Sequence, residues 1–232
     1  IILTNKKLIG VRDPFGIRPL VLGEKDGSPV LASETCALDM IGAKYTRDVE
    51  NGEIIIITEN TIESIKPFKK VLERPCIFER IYFASPDSMV GKKTVYTYRK
   101  ALGEQLAIEN IISADVVVPI PDSGVSAAIG FSQKSLIPFE LGIIRSHYVG
   151  RTFIEPSQTI RQFGVKLKHS VNKSCIINKK VILIDDSIVR GTTANKIVKM
   201  VYEAGAKEVH LGISCPPIKH PDFYGIDTPN YN

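Results

Sequence analysis

Apolar positions along the chain follow two rhythms. Up to about residue 65 they come as short or alternating runs: Lys7–Val11, Leu20–Leu22, Val30–Ala32 and Glu53–Thr58. Turn-forming pairs separate them, namely Asp13-Pro14, Asp26-Gly27 and Asn51-Gly52, so each run reads as a strand. Ser33-Glu34 before Ala37-Leu38 predicts one helix start, and Gly42 its stop. From Thr94 the period lengthens. Tyr98, Ala101, Leu102, Leu106 and Ile108 fall on a helical spacing, and Ala114–Ile120 is then a continuous apolar strand. A helix over Val125–Gln133, strands at Glu140–Ile144 and Lys180–Ile184, a helix from Thr193 to Ala204 stopped by Gly205, and a strand at Glu208–Ser214 continue the alternation. Strands alternating with helices predict an α/β domain with a parallel sheet flanked by helices. The Lys66-Pro67-Phe68-Lys69-Lys70 stretch and Pro75 interrupt the pattern, which divides the chain into residues 1–75 and 76–232.

Composition narrows the class. With 44% hydrophobic and 24% charged residues, 232 residues can bury one large core or two modest ones. No apolar run nears the roughly 18 residues of a membrane span, so no membrane partner is expected. The formal charge is +5. Lysines gather at Lys66, Lys69 and Lys70 and again at Lys166, Lys168, Lys173, Lys179 and Lys180, without interleaved aromatics, which reads as a solvated basic face rather than a nucleic-acid groove. Cys36, Cys76, Cys175 and Cys215 form no C-x-x-C pair, and a reducing cytoplasm is the expected compartment. The chain opens on Ile1 without Met or a targeting signal, which predicts further residues upstream.

The richest chemistry lies in Val181 to Thr193. Four apolar residues end in Asp185-Asp186, at the carboxyl end of a strand, where open α/β sheets place their ligands. Ser187-Ile188-Val189-Arg190-Gly191-Thr192-Thr193 then runs into a helix. Free backbone N–H groups, hydroxyls and a helix N-terminus suit a phosphate, and Gly191 lets the backbone approach it. The acid pair suits ribose hydroxyls or a divalent cation. Taken alone, adjacent aspartates before a helix are better explained by capping; the strand, acid pair, hydroxyl loop and helix together reverse that and favour a site. Neither a Walker-type G-x-x-x-x-G-K nor a G-x-G-x-x-G sequence occurs.

This stretch resembles the phosphoribosyl pyrophosphate (PRPP) signature of the type I phosphoribosyltransferases. Its wording is similar to that of the glutamine PRPP amidotransferase family. Arg12–Leu20, Cys76–Ser88, Tyr148–Ile154 and Tyr224–Asp227 also resemble that family, so the likeness covers nearly the whole chain. It implies a type I phosphoribosyltransferase fold over 76–232, truncated at its carboxyl end. Over 1–75 it implies the C-terminal part of an Ntn-hydrolase (αββα) glutaminase domain, whose nucleophilic cysteine lies upstream.

The resemblance also implies the reaction, in which ammonia taken from glutamine displaces pyrophosphate from PRPP to give 5-phosphoribosylamine, the first committed step of purine synthesis. Asp185, Asp186, Ser187, Val189, Arg190, Gly191, Thr192 and Thr193 would bind PRPP. The Val118–Gly124 turn, with Asp122 and Ser123, would bind the pyrophosphate. Mg2+ would be held by Ser123, Asp185 and Asp186. The segment from Arg145 to Ser170 resembles a loop that closes over the substrate, with Arg145, Tyr148 and Arg151 as its candidate catalytic residues and Lys166 as a further cation. The family text Lys-Asn-X before Tyr-Val-Gly-Arg is replaced by Arg145-Ser146-His147, which keeps the charge.

In one branch of the family the residue at Cys76 ligates a 4Fe–4S cluster. The second ligand would fall at Asp222, where those relatives have cysteine, so either the cluster is absent or Asp222 supplies an oxygen. Purine nucleotides as feedback inhibitors and a homo-oligomer, a tetramer, complete what the resemblance implies. A salvage phosphoribosyltransferase or a PRPP-sensing transcription regulator would share the acid-pair loop; a base-recognition hood or a winged helix would distinguish them, and nothing marks either.

Overall fold

The computed structural model describes residues 1–146, 169–189, 191–220 and 224. The chain forms two compact units. One contains Ile1–Val95 and the described residues from Ile218 on; the other is Tyr96–Pro217.

The first unit is antiparallel. Strands β1 (Ile2–Leu3), β2 (Leu8–Val11), β3 (Val21–Lys25) and β4 (Ser28–Ala32) precede helix α1 (Thr35–Met40); β5 (Lys44–Asp48), β6 (Ile54–Ile57) and β7 (Ile62–Ile65) follow. They make one sheet in the order β1-β2-β6-β7 and another in the order β4-β3-β5. Asp26 and Gly27 both have positive φ and close the β3–β4 hairpin, as an Asp-Gly pair does in a two-residue turn. Leu20, Leu22, Val49, Ile55 and Ile57 are buried together. The four strands and the helix expected from periodicity are present. Sequence patterning misses β1, β5 and β7, because β5 is mostly polar and exposed and β7 is exposed along its whole length.

Residues 76–95 pack with this unit. Cys76 N–H donates to the Ile17 carbonyl at 3.1 Å. The Glu34 carboxylate accepts from Ser85 N–H and the Ser88 hydroxyl, each at 2.8 Å, and the Thr35 hydroxyl accepts from Met89 N–H at 2.8 Å. A single π-helical turn, Glu79–Phe83, and a hairpin of β8 (Met89–Val90) and β9 (Lys93–Thr94) lie within this stretch.

The second unit has the expected α/β alternation. Helix α2 (Val95–Glu109) leads into β10 (Val116–Pro119) and α3 (Val125–Ser135). Strands β11 (Ile143–Arg145) and β12 (His169–Val171), a short helix α4 (Lys173–Ile176), β13 (Lys180–Asp185), α5 (Thr192–Glu203) and β14 (Glu208–Ile213) complete it. Strands β10, β13 and β14 form a parallel sheet in that order, and Phe139 bridges to Val117 in parallel on the far side of β10.

Successive side chains of a strand point to opposite faces, and the core divides accordingly. Val116, Val118, Val181 and Leu183 pack with Ile197 and Val201 of α5; Val117, Ile182 and Ile184 pack with Ala127, Ala128 and Phe131 of α3. The sheet is therefore covered on both faces. Helices α2 and α3 cross at two glycines: a Cβ on Gly103 would stand 1.8 Å from the Ala127 carbonyl oxygen, and one on Gly130 would stand 2.0 Å from that of Lys100. The expected strand at Glu140–Ile144 touches the parallel sheet at its start, where Glu140 N–H donates to the Val117 carbonyl at 2.9 Å. Residues Ile143–Arg145 instead pair antiparallel with His169–Val171 as a separate ribbon.

Candidate functional site

From β10 the chain crosses to the Phe139 side, then returns to β13 on the other side. That reversal opens a crevice at the carboxyl ends of β10 and β13, the position at which open α/β sheets bind ligands. Both chemistry-bearing turns end there. Ile120 N–H donates to the Ile184 carbonyl at 2.9 Å, tying the two turns together. The Ser123 hydroxyl then donates to Asp185 Oδ1 at 3.1 Å, joining residues 62 positions apart. Gly124 admits this approach, since a Cβ there would stand 2.1 Å from the Ile184 carbonyl oxygen.

The acid pair is held tightly. Asp186 N–H donates to Asp185 Oδ1 at 2.9 Å, and the Ser187 hydroxyl donates to Asp186 Oδ2 at 3.1 Å. Asp186 is buried. Among the described residues no Lys, Arg or His forms an ion pair with either acid. Burial pushes the Asp185 carboxyl up to about 7, the neighbouring Asp186 adds to the rise, and the Ser123 hydroxyl opposes it. The two carboxylates therefore form a concentrated negative site that favours a cation or hydroxyl donors.

Beyond the acids, Ile188 and Val189 are exposed and Gly191 adopts φ +68° at the start of α5. That conformation suits glycine; a Cβ would meet no neighbour, so the requirement is backbone freedom rather than space. No side chain caps α5, its first turn carries no acid, and Thr192 and Thr193 are exposed. Uncapped N–H groups and two hydroxyls thus face solvent, ready for an anion.

On the opposite lip, the Arg145 Nη1 group donates to Asp122 Oδ2. This brings the end of β11 to the Pro121–Gly124 turn, a meeting that the sequence does not reveal. Two further neighbours also escape sequence reading. Ser214 and Cys215 donate their N–H groups to the Asp185 and Asp186 carbonyls at 3.0 and 2.9 Å, and burial with the nearby Asp186 raises the Cys215 thiol. The only local hint of their place was that they follow a strand in an alternating α/β pattern.

The structure thus gathers Asp122, Ser123, Arg145, Asp185, Asp186, Ser187, Gly191, Thr192 and Thr193 within one unit. Tyr148, Arg151, Lys166, Arg190 and Asp222 lie outside the described residues. Cys76 is half-buried in the other unit.

Over 98% of its length the chain is 61% identical to an amidophosphoribosyltransferase of Rhizobium etli. Nearly the whole chain is similar to amidophosphoribosyltransferases. The Bacillus subtilis amidophosphoribosyltransferase is 49% identical over 98% of the chain, and the chloroplastic soybean one 54% identical over 99%. No family model matches. A solved structure described as the allosteric regulatory enzyme of purine biosynthesis superposes with a TM-score of 0.90 at 48% identity, over 99% of this chain and 50% of that one. Glutamine PRPP amidotransferase from B. subtilis, complexed with ADP and GMP, superposes with a TM-score of 0.89 at 48% identity, over the same shares. The phosphoribosyltransferase-type fold expected from the motifs is thus shared with solved amidophosphoribosyltransferases. The chain spans 47% of the Rhizobium protein, 48% of the Bacillus one and 41% of the soybean one, about half the length of these relatives.

Proposed function

We propose that the β10–β13 crevice is the phosphoribosyltransferase centre of an amidophosphoribosyltransferase, in which ammonia attacks the anomeric carbon of PRPP and pyrophosphate leaves. The observation that carries this reading is the Ser123–Asp185 contact, which sets the Pro121–Gly124 turn and the start of α5 beside an acid pair that has no counter-cation among the described residues. In this reading Gly191, Thr192 and Thr193 take the 5′-phosphate with backbone N–H groups and hydroxyls, together with Arg190 and the start of the loop at Ser187 and Val189. Asp185 and Asp186 accept from the ribose hydroxyls and fix the ring. Arg145 and the Pro121–Gly124 turn, on which Asp122 and Ser123 stand, receive the diphosphate, while Tyr148 and Arg151 belong to the segment that closes over it and excludes water.

The residues present fit Mg2+. Two carboxylates and a hydroxyl sit together, and no group of three His, Cys, Asp or Glu among the described residues completes a closed metal site. A hard cation that keeps positions for substrate oxygens matches this donor set. When bound, Mg2+ would supply positive charge for the departing pyrophosphate. A 4Fe–4S cluster fits less well, because no group of three or more His, Cys, Asp or Glu occurs among the described residues and a cluster takes about four thiolates.

Residues 1–75 are proposed to be part of a glutaminase domain that supplies the ammonia, with 76–232 as the transferase part. Purine nucleotides are proposed as inhibitors, a reading supported by the ADP and GMP in the B. subtilis structure. A tetramer would appear in sedimentation. Four free cysteines agree with a reducing cytoplasm, and no helix among the described residues is long and apolar enough to cross a membrane.

The test is phosphoribosylamine formation from PRPP and ammonia in the intact protein. Asp186→Asn should lower it roughly 100-fold or more, the scale on which lost metal-site and electrostatic groups act. Unchanged activity would refute the assignment. Substituting glutamine for ammonia tests the glutaminase reading separately.

A further inference from the structure

The Arg145–Asp122 pair sits where an anion is expected, yet one partner is itself an anion. Arg145 is the last residue of β11 and is paired in register with His169, so the ribbon ends beside the Pro121–Gly124 turn. Its Nη1 is given to Asp122, and no other hydrogen bond of its guanidinium is made among the described residues. The Arg145 side chain is 39% exposed and that of Asp122 64%, so both can exchange partners with solvent-borne ions. An arriving diphosphate, carrying more charge than one carboxylate and able to take two guanidinium donors at once, competes directly with Asp122.

We propose that Asp122 is the resident counter-ion of Arg145: it holds the guanidinium beside the turn until a diphosphate displaces it, and retakes it when pyrophosphate leaves. This rests on the proposed diphosphate site at the Pro121–Gly124 turn. Asp122 then acts as a positioning residue that weakens product binding and speeds release. A carboxylate that instead oriented Arg145 toward the ligand would strengthen binding, so the two roles have opposite signs.

The experiment is a double-mutant cycle on the intact protein, titrating inorganic pyrophosphate with Mg2+ by calorimetry. Asp122→Asn should tighten pyrophosphate binding, because a negative charge is lost in any case. The decisive quantity is how much that tightening depends on Arg145. With Arg145 present it should be about threefold larger than in the Arg145→Gln background, the scale of an exposed ion pair. In steady state Asp122→Asn should lower kcat and KM for PRPP together, with Asp122→Glu restoring both. Equal tightening in the two backgrounds, or less tightening with Arg145 present, overturns the counter-ion role while leaving the site intact. Failure of the unmodified protein to bind pyrophosphate overturns the site and the counter-ion role together.

Discussion

Each compact unit buries carboxylate chemistry, and the two treat it in opposite ways. In the first unit Glu53, 1% exposed, accepts two bonds from Arg47 at 2.7 and 2.9 Å, one from Ser64 at 2.6 Å and one from Glu50 N–H at 2.6 Å. The Arg47 bond is the main reason its carboxyl falls to about 2. In the second unit Asp185 meets a serine hydroxyl and another carboxylate, and burial carries it up to about 7. A buried acid with its cation and hydrogen bonds in place belongs to the architecture. A buried acid pair with no cation among the described residues stays costly until something binds, which is the physical mark of a candidate binding site.

The sharpest way to break this contrast is at the acids themselves. Asp186→Asn should cost at least about 100-fold in ammonia-dependent turnover while leaving the melting temperature unchanged or higher, since a buried charge is removed. Glu53→Gln should do the reverse. It leaves the partly exposed Arg47 beside a neutral partner and should lower stability by about 2 kcal/mol in denaturant unfolding, with turnover of the surviving folded protein retained.

The pH dependence sharpens the comparison further. Folded Asp185 keeps its proton up to about 7, whereas the unfolded chain loses it near 3.8, so its contribution to stability is lost as pH rises through that window. For Glu53 the folded value lies near 2 and the ordinary one at 4.5, so its contribution is present above about 4.5 and lost as pH falls toward 2. Hydrogen exchange should therefore show β13 amides loosening between pH 4 and 7, and β6 amides loosening only on acidification. Adding Mg2+ should restore β13 protection above pH 7 and leave β6 unaffected; equal responses in both strands would remove the distinction. The smallest effect is expected from Glu50→Gln. Its bridge to Lys66, 2.7 Å long between exposed side chains, should change stability by less than about 0.5 kcal/mol.

Much of the second unit was legible in the chain. Continuous apolar runs mark β10 and β13, helical spacing marks α2, α3 and α5, and the loop running into a helix singles out Gly191, whose left-handed backbone only the structure shows. The first unit is less legible, because β5 and β7 are exposed and carry no alternation. The Glu140–Ile144 run marks an element but not its antiparallel partner, since strand partners leave no local trace.

The sequence by itself determined what depends on near neighbours: periodicity, turn residues, and an acid pair at a strand's end with hydroxyls and a glycine behind it. Tertiary structure alone decided which distant residues meet. Ser123 reaches Asp185 across 62 positions because β10 and β13 are adjacent in the sheet, and Arg145 reaches Asp122 because the β11 ribbon ends beside that turn. Strand order and register are outcomes of packing the whole core, in which Val118 and Leu183 must share one face with α5. Short-range chemistry supplied the parts of the site; that global packing set the distances between them.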